Sequence, residues 1–122
     1  MLNRADIVYS YDGTYDGILC CIFESFLQKE RPQAIITADT PQLSLLPTKT
    51  IATEPDKAAR VAAALPRRMG PEAAGQVELC YWTCLEDREM VMLDFVHQGF
   101  RYGPQVLSRL ADDTVHTMRR AV

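Results

Sequence analysis

Ile7-Val8-Tyr9-Ser10-Tyr11-Asp12-Gly13-Thr14-Tyr15-Asp16-Gly17-Ile18-Leu19-Cys20-Cys21-Ile22-Phe23-Glu24 decides how the amino-terminal half folds. Its first five residues are β-branched or aromatic, apart from Ser10. Ile7, Tyr9 and Tyr11 fall on one face, the period-two pattern of a strand. Asp12-Gly13 stops the strand, because glycine tolerates the backbone angles of a tight turn. Thr14 is the predicted N-cap of a helix, and Asp16 in its first turn suits the positive end of the helix dipole. The apolar period then changes. Tyr15, Ile18, Leu19, Ile22, Phe23, Phe26 and Leu27 recur at the 3.6-residue spacing of a helix with one wide buried face. Lys29 and Arg31 suit its negative end, and Pro32 blocks its continuation.

Beyond this unit, Ala34-Ile35-Ile36-Thr37-Ala38 is a second strand or an apolar anchor. Residues 39–48 hold Pro41 and Pro47 and read as a loop, pinned by Leu43, Leu45 and Leu46. Lys49-Thr50-Ile51-Ala52 is β-prone and is expected to pair with the first strand. If that pairing is parallel, the helix between makes a right-handed crossover. From Thr53 on, the chain reads as helical. Thr53 is the predicted cap, with Pro55 near the first helical position and Pro66 ending or kinking the helix. Ala58, Val61, Ala62 and Leu65 form its apolar face. Gly70-Pro71 starts another helix, with Ala74, Val77, Cys80, Tyr81 and Cys84 on its stripe. A further helix begins at Glu86-Asp87, with Met90, Leu93, Val96, His97 and Phe100 facing inward. Gly103-Pro104 is a stop-and-start pair, followed by helices over Val106, Leu107, Leu110 and over Val115, Met118, Val122. The expected fold is therefore α+β: a small two- or three-stranded sheet packed against five or six helices. One domain is expected over residues 1–122. The last helix has no C-cap, which suggests the amino-terminal part of a longer protein.

The composition narrows the function classes. Of 122 residues, 48% are apolar and 24% charged, with 13 basic and 16 acidic side chains giving a net charge of −3. That balance argues against holding nucleic acid by bulk charge, though it permits a local basic face. The longest apolar run, Ile18 to Phe23, is far too short for a membrane-spanning helix of about 20 residues. No basic and apolar leader opens the chain. A cytoplasmic protein with no membrane contact is expected, its four cysteines held as thiols. Cys20-Cys21 and Cys80-x-x-x-Cys84 have poor spacing for a zinc site, since neighbours on a helix point about 100° apart. They read as small core residues, and neither a metal nor a cofactor is expected. No Gly-x-Ser-x-Gly, Walker or dinucleotide motif occurs. His97 lies on an apolar helix face and reads as a core or edge histidine, and His116 as solvated. The glycines of residues 11–17 ahead of a helix make a weak anion site, opposed by two aspartates, so a plain strand-to-helix turn is the better reading. Arg67 and Arg68 sit at a helix break, and Arg101, Arg109, Arg119 and Arg120 in the last helices. Arg67, Arg68, Arg109, Arg119 and Arg120 are the candidates for contacting nucleic-acid phosphates.

Three segments taken together resemble a known bacterial family: residues 7–24, Thr53-Glu54-Pro55-Asp56-Lys57-Ala58, and Gly99-Phe100-Arg101-Tyr102-Gly103. In order and spacing the chain is similar to the amino-terminal region of DNA-repair or DNA-metabolism proteins whose carboxyl-terminal half is a domain of unknown function. The resemblance covers nearly all of this chain and about half of a full member. Members are typically encoded beside a radical-SAM protein assigned to DNA modification or repair, and some are fused to a uracil-DNA-glycosylase-like domain. The resemblance implies an accessory module that docks a partner, such as that radical-SAM protein, or helps to position DNA. The alternatives are part of a DNA-acting enzyme with its catalytic groups mainly in the other half, and a structural protein-interaction domain. The resemblance carries over no catalytic residue. Asp12, Glu24 and Arg101 match its recurring polar positions and are the functional candidates. Their plain structural alternatives are a turn residue for Asp12 and an ion pair or helix-end charge for Glu24 and Arg101.

Overall fold

The computed structural model describes residues 3–4, 6–37, 46–82 and 87–103. The chain divides into two compact units, Met1–Val61 and Ala62–Val122.

The first unit is built on β2 (Val8–Tyr11), whose four residues are all buried. Before it lies the short β1 (Asn3–Arg4), and after it α1 (Tyr15–Gln28), β3 (Glu30–Arg31), β4 (Ala34–Thr37) and β5 (Thr48–Thr50). Thr14 is the N-cap of α1, its side chain accepting from the Gly17 amide, as its position after Asp12-Gly13 predicts. Ile18, Leu19, Cys21 and Ile22 of α1 are fully or almost fully buried. The helix ends at Lys29, in the left-handed conformation, whose amide reaches back to Phe26 and Ser25.

The sheet has the order β4-β2-β5, every pair parallel. Tyr9 is the centre of a row, registered with Ile35 on one side and Lys49 on the other. β1 and β3 form a separate parallel pair. Residues 34–37 are thus a strand, not just an apolar anchor. An all-parallel sheet is found with its faces covered by helices, and this one needs such cover. Parallel pairing supplies that cover, because the return path must cross the sheet and α1 makes the crossing.

α2 (Pro55–Met69) begins in the first unit and ends in the second. Its first intrahelical bond runs from the Ala58 amide to the Glu54 carbonyl, so Glu54, not Thr53, holds the N-cap position. Pro66 was expected to end or kink the helix, yet α2 continues to Met69. The lost donor would have met the carbonyl of Ala62, an exposed residue whose carbonyl water can satisfy. In the second unit α3 (Pro71–Trp82) buries Ala73, Val77 and Cys80. α4 (Arg88–Tyr102) buries Met92, Leu93, Phe95, Val96 and Gly99, so its inward face is shifted from the one expected. Met90, His97 and Phe100 are half-buried. Gly99 lets α2 and α4 approach closely: a Cβ there would lie 2.4 Å from Cε of Met69.

The architecture is α+β, and the helix count needs correction. The described residues form four helices, not five or six. The expectation rested on the stop-and-start pair Gly103-Pro104 and on apolar spacing beyond it. Gly103 ends α4 as its C-cap. Pro104 and the positions beyond it, like Leu43, Leu45, Cys84, Arg109, His116, Arg119 and Arg120, lie outside the described residues. Among the described residues no helix is long and apolar enough to cross a membrane.

Candidate functional site

The order β4-β2-β5 means that the chain leaves β2 to one side, then returns to place β5 on the other. In open parallel sheets such a reversal leaves a crevice at the carboxyl ends of the strands, where ligands commonly bind. Among the described residues two loops lie at that edge, Asp12–Thr14 between β2 and α1 and Ile51–Glu54 between β5 and α2.

Asp12 ties these loops together. Its Oδ1 accepts from the amide of Thr14 at 3.0 Å and from the Thr14 hydroxyl at 2.6 Å. Its Oδ2 accepts from the Thr53 hydroxyl at 2.6 Å. Thr14 Oγ1 in turn accepts from the Gly17 amide at 3.0 Å. These bonds hold the exposed Asp12 carboxyl below its ordinary range, the Thr14 hydroxyl contributing most and Thr53 next. The carboxylate is thus ionised at neutral pH and can only accept. Three of its roughly four acceptor positions are used. Such a group suits loop positioning or one further acceptor contact, and does not suit a general acid.

Cys20, 2% exposed, adds a second tie. Its thiol donates to the Glu54 carbonyl at 3.4 Å, and its sulfur accepts from the Glu54 amide at 3.3 Å. Lys57 pairs with Glu54 at 2.8 Å and lies over the Phe23 ring, 5.4 Å from its centroid. The sequence offered Thr53 as a helix cap. The structure spends it on Asp12, forty-one residues away, which no local pattern reveals.

Glu24 belongs to another network. Its side chain is 15% exposed and pairs with Lys49 of β5. Lys49 also lies 5.9 Å from the centroid of the Tyr9 ring. The Tyr9 hydroxyl donates to Glu30. Burial, together with that carboxylate, pushes the Tyr9 phenol far above its ordinary range. Glu24 lies ten residues beyond Thr14 along α1, about 15 Å at 1.5 Å per residue, so Asp12 and Glu24 do not share a site.

Arg101 lies in the second unit. It is exposed, with its guanidinium 5.4 Å from the Tyr102 ring centroid. Arg68 donates to the Phe100 carbonyl at 3.2 Å and lies 4.8 Å from the Phe100 ring centroid. Arg67 is exposed, its Nε bonded to the Ala63 carbonyl at 3.4 Å. Arg67 and Arg68 thus lie in the last turn of α2 and Arg101 in that of α4, with Arg68 bonded across to α4. Cys20, Cys21 and Cys80 are buried thiols, that of Cys80 pushed up by burial. Among the described residues no group of three or more histidine, cysteine, aspartate or glutamate side chains is placed to hold a metal ion.

No protein-family model matches the chain, and no curated protein or solved structure matches it either.

Proposed function

We propose that the chain is an accessory module of DNA repair or DNA metabolism, working beside a radical-SAM partner. One observation supports this reading. The first two segments that carry the family resemblance, residues 7–24 and 53–58, form a single hydrogen-bonded corner. Thr53 is bonded to Asp12, and Glu54 to Cys20. The matching residues are therefore those that close the carboxyl edge of the sheet, where parallel folds place their contacts. Asp12, ionised and already carrying three bonds, supports loop positioning over general-acid chemistry at this corner.

The test is genetic. Cells lacking the gene should survive alkylation, ultraviolet or cross-linking damage less well. Wild type should restore survival, and Asp12→Ala should restore it incompletely. Survival equal to wild type across all three lesion classes would overturn the reading.

A further inference from the structure

We propose that the outward face of α3 is the docking site for the carboxyl-terminal segment of this same chain, residues 104–122. The segment seats apolar side chains on Leu79 and Trp82 and basic ones against Glu72 and Glu78.

α3 carries two apolar faces. Ala73, Val77 and Cys80 are buried on one. At about 100° per residue, Gly75, Leu79 and Trp82 fall within about 60° of one another on the opposite side. Leu79 is 42% exposed and Trp82 70%. A Cβ built on Gly75 meets nothing within 4 Å. Glycine inside a helix is destabilising relative to alanine, and α3 by itself gains nothing from it. On a bare face its physical use is to let another backbone approach closely. Glu72 and Glu78 fall about 60° to either side of Gly75. Both are exposed and, among the described residues, in no ion pair. An exposed apolar stripe with a polar rim is the mark of an interaction site.

The occupant follows from charge, size and chain path. α3 holds two carboxylates and no basic side chain. A second copy of the face would bring four carboxylates together, a costly juxtaposition of like charges. In residues 104–122, by contrast, Arg109, Arg119 and Arg120 outnumber Asp112 and Asp113, and Leu110, Val115, Met118 and Val122 are apolar. Leu79 and Trp82 together expose on the order of 200–300 Å². A stable complex between free partners buries about 800 Å² on each. A patch this small holds a tethered segment, whose effective concentration is about millimolar, better than it holds a free partner. The tether also starts in the right place. A Cβ on Gly103 would lie 3.6 Å from the Arg68 carbonyl oxygen, so the chain leaves Gly103 close to Pro71, the amino end of α3. The 12 residues of α3 span about 18 Å. At about 3.3 Å per extended residue, the segment reaches Trp82 with length to spare.

Trp82 is the only tryptophan of the chain, so its fluorescence reads this face directly. The experiment compares acrylamide quenching of the full chain with that of variants, at low and at high protein concentration. Val115→Asp with Met118→Asp should raise the quenching constant about threefold and shift the emission to the red, as Trp82 passes from cover to 70% exposure. Gly75→Leu should do the same, because a side chain there holds the segment off. On a bare helix it would leave Trp82 unchanged and favour the helix. Glu72→Lys with Glu78→Lys should also release Trp82. Adding Arg109→Glu, Arg119→Glu and Arg120→Glu to that chain should restore its cover. Far-ultraviolet circular dichroism checks that each variant is folded. A native chain whose Trp82 is quenched as fast as in urea overturns the proposal without any variant. Protection that persists in the aspartate variants overturns it too. So does protection that fades on dilution, which would place a second copy on the face.

Discussion

Gly17 stands in the first turn of α1 under the Asp12 carboxylate. A Cβ there would lie 2.4 Å from Asp12 Oδ1, 2.9 Å from the Tyr11 ring and 3.1 Å from Thr14 Oγ1. The carboxylate cannot swing away without giving up Thr14 or Thr53. Gly17→Ala should therefore destabilise the chain by about 1–3 kcal/mol, the usual cost of overpacking a fixed site. Denaturant unfolding measures it, and a loss below about 0.5 kcal/mol would show that the corner is slack. Asp12 itself gives a pH signature. Its folded carboxyl titrates below the unfolded one, so its stabilisation is present above the ordinary carboxylate range, near pH 4, and fades as pH falls through the lower folded value. Asp12→Asn should flatten that acid limb. An unchanged limb would mean the hydroxyl bonds do not favour the charged form. The turn itself was legible in the sequence, since strand, Asp-Gly, cap and helix follow one another within a dozen residues. The bond to Thr53 was not, because Thr53 shows the same local chemistry whether it caps a helix or reaches across to a carboxylate.

At the scale of elements, the approach of α2 to α4 depends on Gly99. Its missing side chain is replaced by Met69, which is 1% exposed. Gly99→Ala should cost about 1–3 kcal/mol, because the buried methionine has little room to withdraw. Met69→Ala should cost about 2–5 kcal/mol through the cavity it leaves. The double variant should cost less than the two singles together, with an interaction of at least about 0.5 kcal/mol, since the new methyl fills part of the new space. Strict additivity in a double-mutant cycle would show that the two helices do not meet at this pair. The same helices show why pattern reading reached only so far. In α1 the expected face is met only in part: Ile18, Leu19 and Ile22 are buried, but Cys21 and Ser25 join them, while Phe23 and Phe26 are half-buried and Leu27 is 59% exposed. α4 runs through Met90, Val91, Met92, Leu93, Phe95 and Val96, apolar on nearly every side of its first half. Periodicity cannot set the phase of such a run, and the packing of Gly99 on Met69 chose Met92, Phe95 and Gly99 in place of Met90 and Phe100. The pairing of the Lys49-Thr50 segment with the first strand was expected and is observed, but the full strand order was out of reach. β4 and β5 are both compatible with pairing to β2, and only the tertiary path shows that β2 takes both, one on each side.

Across the whole molecule, acid should act on the two units through different groups. Asp12 belongs to the first unit and responds only below the ordinary carboxylate range. In the second unit burial lowers the His97 imidazole to about 4, with Asp94 opposing the shift only in part. The unfolded chain titrates this histidine near 6.5, so between pH 6.5 and 4 it is the unfolded state that takes up the proton. The contribution of His97 is accordingly complete above pH 6.5 and is lost as pH falls through that window. His97 is half-buried, and solvent screening holds that contribution to about 1–2 kcal/mol. Trp82 is the only tryptophan of the chain and lies in this unit, 70% exposed beside Tyr81. Its fluorescence can follow denaturant unfolding of the unit at each pH. Wild type should lose stability steadily from pH 6.5 to 4, and His97→Gln should lose much less over the same interval. A variant as pH-sensitive as wild type would place the dependence on other groups and leave His97 with an ordinary imidazole. The sequence marked His97 as a core or edge histidine on an apolar face. The half-buried position agrees, and burial there gives the second unit a group that responds to acid well above the range where Asp12 begins to respond.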